Sequence, residues 1–433
     1  MPLSALPLPQ RDVILAKLHQ HLQSPHSQLV GLLIIKLCHF REINTAFGYQ
    51  AGDALLIQFA EHICGHMRPQ DELARIGDAE FSLILPSLHT GGQALLAANR
   101  VWELAQQYPF TVNGHTPLPH IAMGIALCPE HEKEPELLLR AADLAVAEAQ
   151  KTGNPYHIYH SQMLATATAD LVLEEELEHA LENDEFRLFF QPKISFSTNR
   201  ITGTEALIRW QHPTQGMIPP GKFIPLIEKS ALMEPVTLWV LNTALRYRAE
   251  WAKKGIPLSV AVNFPPTLLI NPEIAELIRQ ATRIWGTGQG DLILEVTESA
   301  VMTDPKRSLE TLRHLAALGI ELSIDDFGTG YSSLAYLKNM PVNELKIDKS
   351  FVDEMAANQG DSLIVQAVTD LGHNFNLRVT AEGIEDQATL EGLREIGCDY
   401  GQGYFLGRPM APQDLENWIK ESPWGMAIET ATA

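Results

Sequence analysis

Apolar and polar positions along this chain follow two rhythms, and the change falls near residue 170. In the second half, short β-rich runs recur: LFFQPKI (188–194), ITGTEALIRW (201–210), LSVAVNF (258–264), DLILEVTE (291–298), IELSIDD (320–326), ELKID (344–348), LRVTAEG (377–383) and YGQGYFL (400–406). Most are separated by stretches with apolar residues at helical spacing, such as 235–254, 305–318 and 361–375. That alternation predicts a β/α architecture, and eight strands in about 250 residues predict a TIM-like (β/α)8 barrel. The first half differs. Apolar runs at 29–37 and 80–85, with helical patterns at 51–66, 91–106 and 137–150, predict a smaller α/β sandwich with an antiparallel component. Between them, LVLEEELEHALENDEFRL (171–188) has helical spacing and an acidic face, and it follows a polar, small-residue stretch at 161–170. The expected division is a domain at 1–165, a connecting helix at 166–187 and a barrel domain at 188–425.

Charge and cysteine usage narrow the function. The chain has 433 residues, with 32 Lys and Arg against 53 Asp and Glu, a formal charge of −21. Such an acidic surface argues against DNA or an anionic membrane as partner, because both need cations to neutralise phosphates. The four cysteines, Cys38, Cys64, Cys128 and Cys398, form no CxxC pair, so neither a disulfide framework nor a thiolate zinc site is expected. The apolar run 29–35 stops at Lys36, far short of the roughly 20 residues a membrane span needs. A reducing cytoplasm is the expected location.

The chemistry lies where the predicted strands end. Glu205, Asn263, Glu295, Asp325, Asp326, Lys346, Asp348, Glu382 and Gln402 each fall at or near the end of a β-rich run, where a barrel assembles its active site. One such carboxylate alone would read as a helix cap or a solvated charge. A whole set in phase with the strands does not. Oxygen donors without Cys or His select a hard cation, Mg²⁺ or Mn²⁺, and a pair of such ions is the usual device for in-line hydrolysis of a phosphodiester. Adjacent Asp325 and Asp326 both reach the mouth only if the strand breaks there. Lys346 is either a group that positions or deprotonates water or a buried counter-ion.

The runs EALIRW, VNF, LEVTES, DDFGTGYSSL, LKID, AEGIE and GQGYFLGRP closely resemble the EAL domain of cyclic di-GMP phosphodiesterases, over roughly residues 175–420. The resemblance implies two cations per site, the first on Glu205, Asn263, Glu295 and Asp325, the second on Asp325, Asp326 and Glu382. It implies Lys346 as general base or water-positioning residue beside Asp348, Glu298 as a brace for the loop 326–330, and substrate contacts from Gln191, Leu207, Arg209, Asp348 and Gln402. It further implies a first barrel strand antiparallel to the rest, and a homodimer formed through the barrel. One departure is VNFPP, where Pro265 replaces a serine common in the family. A non-catalytic cyclic di-GMP receptor is the alternative; receptors usually lose metal ligands or the DDFG loop, and this chain keeps both.

Residues 3–160 resemble a GGDEF domain, the nucleotidyl-cyclase-like diguanylate cyclase fold, in FREINTAFGYQAGDALL (40–56) and RIGDAEFSLIL (75–85). The signature reads Gly77, Asp78, Ala79, Glu80, Phe81, and two upstream aspartates of the family stand here as Lys36 and Cys38. Diguanylate cyclase activity is therefore not expected. Asn44 and Asp53 match guanine-recognising positions, although spacing alone reads them as a turn amide and a helix-start carboxylate. GTP, with Lys36 supplying charge in place of a metal, is the candidate allosteric ligand. Arg68 and Asp71 form an RxxD in the register of the family's product-inhibition site, or equally a surface ion pair. A sensor or receptor protein is the expected source of input.

Overall fold

The computed structural model describes residues 11–22, 29–108, 110–111, 119–328, 337–355 and 358–426. The chain divides into two compact units at Val172/Leu173.

In the first unit five strands, β1 (Leu29–Leu37), β2 (Glu72–Arg75), β3 (Glu80–Leu88), β4 (Ile121–Cys128) and β5 (Tyr156–Ile158), form a sheet of order β2-β3-β1-β4-β5. β1 is central and antiparallel to both neighbours, while β5 joins β4 in parallel. Period-two alternation splits the apolar run of β1 between two cores. Leu33, Ile35 and Leu37 pack with helices α3 (Tyr49–Cys64) and α4 (Gly91–Gln107), whereas Val30, Leu32 and Ile34 pack with α1 (Arg11–Leu22) and α5 (Pro135–Thr152). The short helix α2 (Phe40–Phe47) follows β1. The result is the α/β sandwich expected from the sequence. Gly124 allows its close packing, because a Cβ there would sit 2.0 Å from the Ala142 carbonyl of α5.

The stretch 161–170 is not a loop. Helix α6 spans Gln162–Ala180 and contains the division between units. Its small residues Ala165 and Ala167 are strong helix formers. The expected connecting helix overran at its far end, where turns occupy 181–184 and strand β6 begins at Phe186.

The second unit is a closed eight-strand barrel of β6 (Phe186–Ser195), β7 (Arg200–His212), β9 (Ser259–Asn263), β10 (Leu292–Thr297), β11 (Glu321–Phe327), β12 (Glu344–Ile347), β13 (Arg378–Ala381) and β14 (Tyr400–Gly401). A short strand β8 (Gly216–Ile218) extends β7 as a hairpin. β6 is antiparallel to β7 and β14, and the remaining neighbours are parallel. Six of the eight expected strands have nearly the expected length, and the seventh pairs only over Arg378–Ala381. The last is shorter still: only Tyr400 and Gly401 pair, and the chain then turns so that Phe405 donates to Ile384 O and Gly407 to Gly403 O.

Inside the barrel, a layer below the candidate site, Lys193 of β6 meets Glu344 of β12, with Nζ 2.7 and 2.9 Å from the two carboxylate oxygens. Thr380 donates to the same carboxylate. Glu344 is fully buried, and Lys193 holds its pKa below the usual value against the opposing effect of burial. Removing one partner of such a pair leaves an unpaired buried charge. Lys193→Met is therefore expected to destabilise the barrel by about 3–5 kcal/mol in urea titrations, with Glu344→Leu added to it recovering most of the loss. A single variant within 1 kcal/mol of the parent would disprove this, about one being the worth of a merely exposed pair.

Candidate functional site

Six strands deliver side chains to the barrel mouth. Register brings Gln191 of β6 opposite Glu205 of β7, and Glu295 of β10 beside Asn263 of β9. Asp325 and Asp326 come from β11, Lys346 from β12, Glu382 from the residue after β13, and Gln402 from the residue after β14.

Lys346 is 1% exposed, and its Nζ lies 2.5 Å from Glu382 Oε1, 2.9 Å from Glu295 Oε1, 3.2 Å from Asp325 Oδ1 and 3.9 Å from Glu205 Oε2. Asn263 Nδ2 donates to Glu205 Oε1 at 2.8 Å, and Gln402 Nε2 donates to Glu205 Oε2 at 2.5 Å and to Gln191 Oε1 at 3.1 Å. Gln191 in turn donates to Gly407 O. These eight side chains thus form one connected network across the closed barrel.

Both adjacent aspartates reach the mouth because β11 bulges. Ile324 pairs with Leu345 and Phe327 with Ile347, so Asp325 and Asp326 together oppose the single residue Lys346. Asp326 takes a left-handed conformation, φ 53°, and its N–H donates to Asp325 Oδ1 at 3.1 Å. A non-glycine residue held there stores strain of about 1–3 kcal/mol, which the surrounding pairing must sustain. Gly328, at φ 100°, completes the described part of the turn. The loop from 329 to 336 lies outside the described residues, so the bracing expected of Glu298 toward it is not seen; Glu298 itself is buried and opens helix Glu298–Thr303.

Four carboxylates around one ammonium are an unbalanced set of charges. Burial, with Glu205, Asp325 and Glu382 nearby, pushes Glu295 well above the usual glutamate value despite Lys346. Burial raises Glu382 to about 8 against Lys346, with Asp325 and Glu205 adding to the rise. Burial, Asp325 and Asp348 raise Asp326 to about 6. Burial would discharge Lys346, yet Asp325, Glu205, Glu295 and Glu382 hold its pKa well above that of free lysine. Glu205 lies below the usual value, burial being outweighed by Lys346 and the two amides.

This set fits hard divalent cations. Oxygens of Asp325, Asp326 and Glu382 lie within 4.8 Å of one another, and Glu295 Oε2 is buried without a hydrogen-bond partner. An orphaned carboxylate oxygen in an all-oxygen set suits Mg²⁺ or Mn²⁺, and cations arriving there would favour the charged carboxylates that burial disfavours at Glu382 and Glu295.

The remaining predicted contacts lie around this centre. Leu207 and Arg209 share a face of β7 with Glu205. Leu207 borders an apolar cavity of about 260 Å³ that also includes Asn263, Glu295 and Pro265. Pro265 caps the short helix Pro266–Leu269, a position that makes no demand on a backbone N–H. Arg209 is half-buried, with its guanidinium 5.7 Å from the Phe189 ring centre. Asp348 accepts from Ser350 N at 3.0 Å. Sequence reasoning passed over Tyr404, half-exposed two residues beyond Gln402, with the Arg408 guanidinium 4.4 Å and the Lys349 ammonium 5.9 Å from its ring centre. An aromatic residue followed by an arginine in GQGYFLGRP was the available signal for such a ledge.

In the first unit Asn44 and Asp53 line a cleft of about 1470 Å³ together with Lys36, Cys38, Asp78 and Glu80. Neither is the turn or helix-start residue that spacing suggested: Asn44 lies within α2 and Asp53 within α3. Arg68 and Asp71 are bound to each other, Nη2 to Oδ1 at 2.6 Å, beside a separate cavity of about 310 Å³.

The class of protein that the fold and site define is a β/α barrel whose mouth gathers carboxylates, amides and a lysine. Residues 174–409 match the EAL domain family and residues 7–155 match the family described as "Diguanylate cyclase, GGDEF domain". The chain belongs to the EAL domain family, with a GGDEF domain N-terminal to it. It is 38% identical over 412 residues to the bifunctional diguanylate cyclase/cyclic di-GMP phosphodiesterase MucR of Pseudomonas aeruginosa, covering 94% of this chain and 60% of MucR. It is 36% identical over 405 residues to the cyclic di-GMP phosphodiesterase NbdA of the same organism, covering 93% of this chain and 52% of NbdA. The chain thus spans between half and three fifths of these curated relatives. Among solved structures, the PaMucR phosphodiesterase in complex with c-di-GMP is 42% identical with a TM-score of 0.54, over 56% of this chain and 98% of that one. The FimX EAL domain from Pseudomonas aeruginosa bound to c-di-GMP is 25% identical with a TM-score of 0.51, over 54% of this chain and 94% of that one. Among the described residues no helix is long and apolar enough to cross a membrane.

Proposed function

We propose that the barrel hydrolyses cyclic di-GMP to linear pGpG with two Mg²⁺ or Mn²⁺ ions, and that the first domain is a cyclase-inactive regulatory module that takes GTP. The observation that carries this reading is the buried ring of Glu205, Glu295, Asp325 and Glu382 around Lys346, with one carboxylate oxygen left without a partner. Glu205, Asn263, Glu295 and Asp325 would hold the first ion, and Asp325, Asp326 and Glu382 the second. Bound there, the ions would polarise the phosphoryl oxygens and acidify water. Lys346 positions the attacking water, whose oxygen bonds to phosphorus as the bond from phosphorus to the 3′-oxygen breaks. The attacking water gives up one proton and the leaving 3′-oxygen takes one, so the product carries a 5′-phosphate and a free 3′-hydroxyl. Arg209 supplies fork donors for a phosphate, and Gln191, Leu207, Asp348 and Gln402 contact the dinucleotide. The ledge at Tyr404 supports a base or phosphate alongside.

Purified protein incubated with cyclic di-GMP and Mg²⁺ or Mn²⁺ is expected to release pGpG, detected chromatographically, and to stop with chelator. Binding of cyclic di-GMP without product would instead make the barrel a receptor.

MucR is named for both activities, so the expected silence of the first domain rests on this chain's own residues. Asp78 occupies the turn between β2 and β3, whose carbonyls at Gly77 and Asp78 accept from Arg75, and Lys36 pairs with Glu80. Asp78→Gly combined with Ala79→Asp is expected to yield no cyclic di-GMP from GTP while Lys36 remains. Synthesis by that double variant would refute the account.

A homodimer through the barrel is supported by Leu363, 63% exposed, and Ile364 beside it on helix Gln359–Asn374. Light scattering is expected to give twice the 48.0 kDa chain mass, and Leu363→Glu with Ile364→Glu to halve it. A monomeric parent protein would overturn this assignment.

A further inference from the structure

Strand β7 carries Glu205, Leu207 and Arg209, and its two edges are not equally supported. On one edge β6 pairs with it as far as Trp210. On the other, β9 stops at Ala206 and β8 begins at Trp210, so Leu207, Ile208 and Arg209 have a strand partner on one side only. The polar contacts of the guanidinium are local: Nη1 donates to Ile208 O at 2.9 Å, and the group lies 5.7 Å from the Phe189 ring centre. Where Arg209 points therefore depends on what fixes the chain beyond it.

His212 fixes it. The ring is buried and lies edge-on to Trp210, with centres 5.1 Å apart. Its Nδ1 lies 3.2 Å from both Thr214 N and Gln215 N, and a backbone N–H can only donate, so Nδ1 is the acceptor and Nε2 carries the proton. Nε2 is 3.0 Å from Glu176 Oε2 on α6. One imidazole thus closes the turn between β7 and β8 with one nitrogen and ties it to α6 with the other. Trp210 adds a second tie, from Nε1 to Glu185 Oε2 at 2.9 Å, in the segment between α6 and β6. This end of α6 is anchored in turn, with Leu173, Leu177 and Ala180 in the barrel core. The turn needs only Nδ1; the bond from Nε2 to a residue 36 positions away serves something else.

We propose that His212, anchored by Glu176, is a positioning residue that sets the Arg209 guanidinium for a substrate phosphate. The proposal rests on reading the barrel as a cyclic di-GMP phosphodiesterase with Arg209 as phosphate donor, and adds what aims that donor. A fork donor is directional, and a misplacement of about 1 Å can cost about two decades. Because Glu176 stands on α6, the helix that contains the division between the units, the same bond makes substrate affinity depend on that helix.

The test compares KM and kcat for cyclic di-GMP cleavage by the full chain in Mg²⁺, with the dissociation constant of cyclic di-GMP taken instead if it binds without product. His212→Asn keeps an acceptor for the Thr214 and Gln215 N–H groups but does not reach Glu176. It is expected to raise KM about tenfold with kcat within about threefold, the signature of lost uniform binding. Its melting temperature should stay within about 2 °C of the parent protein, because the turn keeps its acceptor. Glu176→Ala is expected to do the same, and Glu176→Gln, whose amide oxygen still accepts from Nε2, to stay within about twofold of the parent. Arg209→Ala is expected to raise KM about thirtyfold, and adding His212→Asn to it to change nothing more, because the group being positioned is gone. An unchanged KM in His212→Asn would overturn the proposal. A tenfold effect that persists in the Arg209→Ala background would show that His212 does not act through Arg209. A parent protein that neither binds nor cleaves cyclic di-GMP would overturn the reading of the barrel itself.

Discussion

Replacing Glu205 with alanine is expected to lower pGpG release about 10³-fold or more. Glu205 is 7% exposed and is the acceptor on which two strands converge, Asn263 Nδ2 on one oxygen and Gln402 Nε2 on the other. Alanine removes a carboxylate from the proposed first cation site, takes from Asn263 the acceptor of its Nδ2 and leaves Gln402 only Gln191 Oε1. Losing several kcal/mol of transition-state charge stabilisation corresponds to at least three decades of rate, at 1.36 kcal/mol per decade. The barrel should survive, because the side chain lies at the mouth above the packed layers; unpaired amides cost about 1–3 kcal/mol each. Circular dichroism should match the parent protein, while turnover at saturating substrate and Mg²⁺ falls. Turnover within tenfold of the parent would remove Glu205 from the cation site.

Lys346→Met should damage both rate and stability. Its ammonium is the one cation within 4 Å of Glu382, Glu295, Asp325 and Glu205 among the described residues. Without it four carboxylates face one another in the barrel, and the variant should lose about 3–5 kcal/mol of stability in EDTA, as when one partner of a buried pair is deleted. Divalent cations should restore part of this, since they supply the missing positive charge. The rate should fall about 10²–10⁴-fold even in saturating Mg²⁺, because the attacking water loses the group that holds it in line with phosphorus. Lys346→Arg should not rescue it, because a planar guanidinium cannot occupy a point-charge position among four converging oxygens. A Lys346→Met protein with unchanged melting temperature in EDTA would show that the ring does not depend on the ammonium. Near-normal turnover in Mg²⁺ would reduce Lys346 to a counter-ion.

The barrel was legible because each strand carries its own signal. Alternation in LEVTES or LSVAVNF needs no knowledge of the rest of the chain, and the polar residue that closes each run marks the rim. The last strand misled for the same reason: YGQGYFL has a strand-like composition, yet the close approach of Gly403 to the Ile384 backbone turns the chain after Gly401. The polar stretch at 161–170 misled in the opposite sense, since its alanines and threonines belong to α6 itself. In the first domain, the RxxD pattern could not say whether Arg68 faces a ligand or Asp71. The folded chain brings their side chains together.

The sequence by itself determined two units of different rhythm, an eight-strand β/α barrel, an acidic set without sulfur or imidazole, and the residues that end each strand. These are properties of neighbours along the chain, set by side-chain period and composition. Only tertiary structure decided that Gln402 and Gln191, 211 residues apart, share a hydrogen bond, and that Asp325 and Asp326 together oppose one residue. It also decided that four carboxylates ring Lys346 and hold its pKa above that of a free lysine. These outcomes depend on barrel closure and on a single bulge, which bring distant charges into one low-dielectric space where burial and Coulomb energy, rather than local pattern, fix the state of each group.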